Sequence, residues 1–189
     1  METNNGFLPN AVNYRNLIFY KKGIILYDMT YWYQDHYLVR GDRTKDQMEQ
    51  AARSGKQNVV EGTADGMTSI EMEIKLLNTA RGSLLELMED YEDQLRSRRL
   101  ELWEKGHPRY EKMVQYCYHH HDLKNYQPYY EKWSIEEFCN VALTLIHQAD
   151  KGILTYLKKG RTDFSGTRRD QRTHVRCKER EEGILTTNL

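Results

Sequence analysis

Apolar positions recur along this chain at helical spacing. Leu17, Tyr20, Ile24, Tyr27 and Tyr31 follow in steps of three and four, which lays them on one face of a helix predicted over about 14–38. Gly41-Asp42 interrupts that helix. Asp42 is suited to cap a second one, running to about residue 61, because its carboxylate can accept hydrogen bonds from the unpaired amides of a first turn. Thr68-x-x-Glu71 has the form of a capping box, and behind it Ile70, Ile74, Leu77, Arg81, Leu84, Met88, Tyr91 and Leu95 alternate steps of four and three. That pattern predicts a long third helix. A second box, Ser134-x-x-Glu137, opens another helix with Phe138, Ala142, Leu145, Ala149, Ile153 and Tyr156 inward. The only prolines are Pro9, Pro108 and Pro128, so nothing breaks these segments. No run alternates at strand period, and an all-α bundle follows. Within the connection at about 98–133, Pro108 to Asp122 is read as a further short helix.

Composition fits one compact domain with a tail. The chain has 189 residues, 39% of them hydrophobic, with fourteen Tyr and three Trp to supply bulk for a core. Residues 1–13 are read as a flexible amino-terminal stretch, 14–158 as the bundle and 159–189 as a basic carboxyl-terminal extension. No stretch approaches the ~18 consecutive apolar residues that would cross a bilayer, and no secretory signal pattern opens the chain, so a cytoplasmic protein is expected. Cys117, Cys139 and Cys177 are odd in number and lack CxxC spacing, which reads as free thiols. The formal charge is zero, yet its distribution is dipolar: residues 61–104 carry five basic against eleven acidic side chains, residues 158–182 nine against five.

Several groups could carry chemistry or contacts. Ala51, Gly55, Val59 and Gly62 leave one face of the second helix nearly bare, suited to close approach by Ala80 and Gly82 of the third. Gln50, Ser54, Asn58 and Glu61 form a polar line on the same helix. Arg81 interrupts an apolar seam and needs a carboxylate there, with Glu61 or Glu86 as the expected partner. Cys117, His119, His120 and His121 resemble metal ligands by type, but consecutive helical residues point about 100° apart and only Cys117 and His121 would share a face. A lone His147 beside the inward face of the last helix reads as structural. No metal or cofactor is expected. An enzyme using Glu61, Glu86 and a histidine-bound metal remains as an alternative.

Cationic positions point elsewhere. Thr167-x-x-Asp170 can cap a helix ended by Gly183, within which Arg168, Arg172, Arg176 and Arg180 recur every fourth residue. Such a stripe suits phosphate backbones, although Asp170, Glu179, Glu181 and Glu182 dilute it and a merely solvated helix fits as well. A second basic group comprises Arg40, Arg43, Lys45, Arg53 and Lys56. With tyrosines able to stack on bases, the two groups make RNA or DNA a candidate partner.

The stretch Gln50-Ala-Ala-Arg-Ser-Gly-Lys-Gln-Asn-Val-Val-Glu-Gly62 resembles the hallmark of a bacterial four-helix-bundle family. That family includes the intervening-sequence proteins encoded inside large ribosomal RNA genes and the accessory variability proteins of diversity-generating retroelements. Glu73 to Glu86 and Asn140 to Ala149 agree with it, the latter with its four-helix-bundle suffix branch. The resemblance implies an up-and-down antiparallel bundle, assembly as a homo-oligomer such as a pentameric ring, and a non-enzymatic scaffold that binds nucleic acid and a reverse transcriptase. Arg53 and Lys56 are its matching basic positions, with Arg40 and Arg43 nearby. Three features depart from the pattern: the insertion between the last two bundle helices, the tail, and Phe164-Ser-Gly166 where the suffix branch has a double glycine. A purely protein–protein module without nucleic-acid affinity is the competing expectation.

Overall fold

The computed structural model describes residues 13–39, 41–65 and 69–159. Within them the secondary structure is helical, with no strand. After a short 3₁₀ turn at Tyr14–Asn16 come α1 (Ile18–Tyr37), α2 (Arg43–Asp65), α3 (Ile70–Arg98), α4 (Tyr110–His119) and α5 (residues 135–159). Two more 3₁₀ turns, Leu123–Asn125 and Gln127–Tyr129, link α4 to α5. The chain divides into two compact units, Met1–Ile153 and Leu154–Leu189. Of the second, the described residues are the end of α5. No helix among the described residues is long and apolar enough to cross a membrane.

Local chemistry sets the helix ends. Gly41 takes φ +91°, a left-handed conformation that glycine adopts without penalty. Asp42 then accepts from the Thr44 N–H at 2.9 Å, capping α2 as its sequence promises. The box before α5 also forms: the Ser134 N–H donates to Glu137 Oε2 at 2.9 Å and the Glu137 N–H returns to Ser134 Oγ at 3.2 Å. At α3 the cap lies one residue later than the Thr68-x-x-Glu71 reading. Ser69 is the N-cap and its side chain accepts from the Met72 N–H at 3.2 Å, while Thr68 lies outside the described residues.

Paired contacts show how the helices lie. Between α1 and α2, Gly23 approaches Lys56 and the Gln34 amide donates to the Lys45 carbonyl at 2.7 Å, so numbering rises on one helix as it falls on the other. Between α2 and α3, Gly62 meets Leu76 and Leu77, Gly55 meets Leu84, and Ser54 bonds Ser83, again in opposing order. Between α1 and α5, Gly152 faces Phe19 and Phe138 faces Tyr33. Between α1 and α3 the order is the same on both: Thr30 pairs with Tyr91 and Tyr33 with Gln94. The 99–109 connection is tied to α5 by Asn140, whose Oδ1 accepts from the Trp103 N–H at 2.7 Å and whose amide donates to the Glu101 carbonyl at 2.9 Å.

The bare face of α2 does its expected work against α3. A methyl on Gly55 would come within 3.2 Å of Leu84 and 3.7 Å of the Ala80 carbonyl, so the absence of a side chain is what allows the approach. Gly82 is not part of it: the residue is exposed and nothing lies within 4 Å of where its Cβ would be. On α5, Phe138, Ala142, Leu145, Ala149 and Ile153 are fully buried, and Tyr156 is half-buried. On α1 the buried face is instead Phe19, Lys22, Gly23, Ile25, Leu26, Met29, Thr30, Tyr33 and Gln34. The Leu17–Tyr31 face is half-buried to exposed. On α3, Leu77, Leu84, Tyr91 and Leu95 of the predicted seam are buried, whereas Ile70 is 40% exposed.

Candidate functional site

The cationic positions on α2 separate by environment. Lys45 is neutralised, its Nζ 2.8 Å from Asp35 Oδ1. Lys56 lies over the ring of Tyr27, Nζ 3.8 Å from the centroid, and partial burial followed by the nearby Arg53 charge lowers its pKa. Arg43 and Arg53 are exposed. Arg53 stands in an open hollow of about 560 Å³ together with Gln50, Gln57 and Asn58, but also with Asp46, Glu49 and Glu61. Arg40, Arg168, Arg172, Arg176 and Arg180 lie outside the described residues.

Arg81 finds a partner other than Glu61 or Glu86. Its Nε donates to Asp150 Oδ1 at 2.6 Å, and Nη1 reaches Asn78 Oδ1 at 3.4 Å, joining α3 to α5. Glu86 is five residues along α3, about 140° around the helix from Arg81, and lies on the flank facing α2. Glu61 is exposed on α2. Asp150 is the single acidic residue between 138 and 159, a sequence signal that identifies it once α3 and α5 are taken as neighbours. Asn58 serves the helix it sits on, donating to the Ser54 carbonyl at 2.9 Å and to Ser54 Oγ at 3.0 Å, while Ser54 in turn accepts from Ser83 Oγ.

Beside that serine bridge, α2 and α3 enclose a hollow of about 510 Å³ with Gln47, Gln50, Glu86, Glu89 and Asp90 on its walls. Burial, then the neighbouring Asp93 and Glu86 charges, push the Asp90 carboxyl up to about 6. An acid whose folded pKa exceeds its unfolded value costs stability as pH rises through the interval between them, here from about 4 to 6. Asp90→Asn is therefore expected to raise the melting temperature at pH 7.5 and to leave it unchanged at pH 3.5, in thermal unfolding followed by circular dichroism. Solvent screening at this half-exposed site holds the gain to about 1 kcal/mol or less.

Comparison with protein-family models, with curated proteins and with solved structures finds no match. The chemistry of this chain therefore rests on its own geometry. The residues around Cys117 that resemble metal ligands by type lie in different environments. Cys117 is buried in the core on α4, where burial pushes its thiol up to about 11. His119 is exposed in the last turn of α4, and His120 stacks on Tyr116 at 4.0 Å. The Nδ1 of His121 is buried with no hydrogen-bond partner among the described residues. Because α4 ends at His119, His121 never joins the helical face of Cys117. No group of three or more His, Cys, Asp or Glu residues among those described could hold a metal ion. His147 is exposed on α5, away from Glu61 and Glu86.

Sequence reasoning missed Lys22. Its side chain is 2% exposed on the inner face of α1, and Nζ donates to the Cys117 carbonyl and to Gln148 Oε1, both at 2.7 Å. The carbonyl is one that the end of α4 leaves unpaired, so the ammonium caps one helix from another. Gln148 extends the link, its amide donating to the Val114 carbonyl at 3.1 Å. Burial lowers the Lys22 pKa to about 8. In sequence, Lys21-Lys22 reads as a surface pair.

Proposed function

We propose that this chain is a non-enzymatic cytoplasmic scaffold: an up-and-down antiparallel bundle of α1, α2, α3 and α5, with α4 inserted before the last helix and a basic tail after it. It assembles with copies of itself, a pentameric ring being the form implied by the resemblance, and binds RNA, DNA or an enzyme acting on them. The opposed order of the α1–α2, α2–α3 and α1–α5 contacts, with the like order of α1–α3, supports the topology. The observation that carries the scaffold reading is where the reactive side chains go. Lys22, Tyr33, Tyr91 and Arg81 are spent on bonds between helices, and Cys117 and Cys139 are buried with thiols pushed up to about 11 and 12.

Nucleic-acid contact on the bundle rests on Arg43 and Arg53, with the tail arginines supplying the remainder. Binding of single-stranded RNA and duplex DNA by the full chain between 50 and 300 mM salt tests this. Affinity is expected to fall with salt, and replacing Arg172, Arg176 and Arg180 with Ala should reduce the logarithmic slope by about 2 to 3. Affinity that is absent at low salt, or indifferent to salt, overturns it. The acidic hollow between α2 and α3 favours a second reading, a protein–protein module without nucleic-acid affinity. That module would show a stable oligomer by light scattering in the same samples that fail to bind RNA or DNA.

A further inference from the structure

The second half of α1 and the segment 127–132 enclose a hollow of about 550 Å³, distinct from the hollows on α2 and α3. Aromatic walls come from Tyr31, Trp32 and Tyr130, and carboxylates from Asp28, Asp35 and Glu131. The walls are fixed by their neighbours. Trp32 is stacked by His36 at 4.0 Å and 14°, and by Phe138 at 5.4 Å and 17°. The His36 Nδ1 lies 2.7 Å from the Trp32 carbonyl, which holds the imidazole in that stack. Tyr130 is buried, and its hydroxyl donates to Asp28 Oδ2 at 3.1 Å. Tyr31 is 54% exposed, a large ring turned outward at the rim. Rigid aromatic walls with few convergent polar groups are what a small-ligand site requires.

The charge inside selects the ligand. Asp35 is neutralised by Lys45 at 2.8 Å. Lys132 also lines the hollow, but its ammonium lies 5.6 Å from the centroid of Tyr129, a ring outside it. Asp28 and Glu131 are thus the carboxylates left to a ligand, and Asp28 is held through Oδ2 by Tyr130, with no hydrogen bond to Oδ1 from the described residues. Such a site repels phosphates and carboxylates and favours cations. Of the organic cations, a guanidinium fits best. It is planar, more weakly hydrated than an ammonium, stacks on a ring such as Tyr31 and offers several N–H groups to a carboxylate.

We propose that this hollow binds a guanidinium group, with Asp28 as its hydrogen-bonding counter-charge and Tyr31 as the ring it stacks on. The site is independent of the scaffold reading, since neither Arg53 nor the tail takes part in it.

Calorimetric titration of the full chain with L-argininamide, L-lysinamide and L-citrullinamide tests the assignment, with the indole N–H resonances of the three tryptophans as the local readout. Saturable binding of argininamide is expected, shifting the Trp32 resonance and leaving that of Trp103, with lysinamide and the uncharged citrullinamide about tenfold weaker. Asp28→Asn keeps an acceptor for the Tyr130 hydroxyl, so the fold should persist while argininamide affinity falls about tenfold. Tyr31→Ala, at an exposed ring, should weaken it independently. Glu111→Gln, which removes the same charge on α4, should change nothing. No saturable binding, equal affinity for citrullinamide or lysinamide, full affinity in both folded site variants, or a shift confined to Trp103 would each overturn the proposal.

Discussion

Between pH 7 and pH 10, the wild-type protein is expected to gain about 2.5 kcal/mol of unfolding free energy relative to a Lys22→Met variant. The Lys22 pKa is lowered to about 8 in the folded chain, against about 10.5 when unfolded, and the cause is burial. Below pH 8 the folded protein must carry a buried ammonium, and the cost of that charge is fully present. As pH rises from 8 towards 10.5, the unfolded chain still holds the proton that the folded chain has released, so stability grows across that window. The amine that remains is still a donor to the Cys117 carbonyl and Gln148, so the bonds survive deprotonation. Urea unfolding at unit intervals of pH measures the difference. Comparison with the variant is essential because Cys117 and Cys139 act in the opposite sense. Their thiols are pushed up to about 11 and 12, so the unfolded chain ionises first, and this lowers the stability of wild type and variant alike above about pH 9. A difference that stays flat from pH 7 to 10 would mean that Lys22 is solvated in solution.

That lysine also marks where sequence pattern stops being informative. The core of α5 is legible because Phe138, Ala142, Leu145, Ala149 and Ile153 are apolar and evenly spaced, and its start is legible because a capping box is a local device. The inner face of α1 is different. It includes Lys22, Thr30 and Gln34, which a hydrophobic period counts as outward, so the readable stripe Leu17–Tyr31 falls on the wrong side. Two of these polar residues are satisfied by partners far along the chain, Lys22 by Cys117 and Gln148 and Thr30 by Tyr91, while the Gln34 amide donates to the nearer Lys45 carbonyl. Arg81 and Asp150 repeat the lesson across 69 positions. Need for a partner is written in the sequence, as a charge inside an apolar seam, but its identity depends on which helices become neighbours. The guanidinium hollow was invisible for the same reason, since Asp28 and Tyr130 meet across 102 residues.

Phe138→Ala is expected to cost about 3–5 kcal/mol, the range for removing a buried aromatic ring from a core that cannot collapse around the loss. Collapse is prevented here by the company the ring keeps. Trp32, Tyr33, Tyr130 and Trp133 all lie with centroids 5.4–5.9 Å from it, contributed by α1 and by the 127–133 segment that precedes α5. Rings are stiff, with two side-chain torsions each, so none can flex into the space a phenyl leaves. Tyr33 is further pinned by its hydroxyl on Gln94 and Tyr130 by its hydroxyl on Asp28. A Phe138→Leu variant, which refills most of the volume, should recover more than half of the loss. Chemical denaturation reads both values. Because Phe138 also backs the indole of Trp32, the Ala variant should release that ring from its stack, and the Trp32 indole resonance should broaden while the protein remains folded. An Ala variant as stable as wild type would show that the aromatic cluster is packed loosely and would remove the rigidity on which the cation site depends.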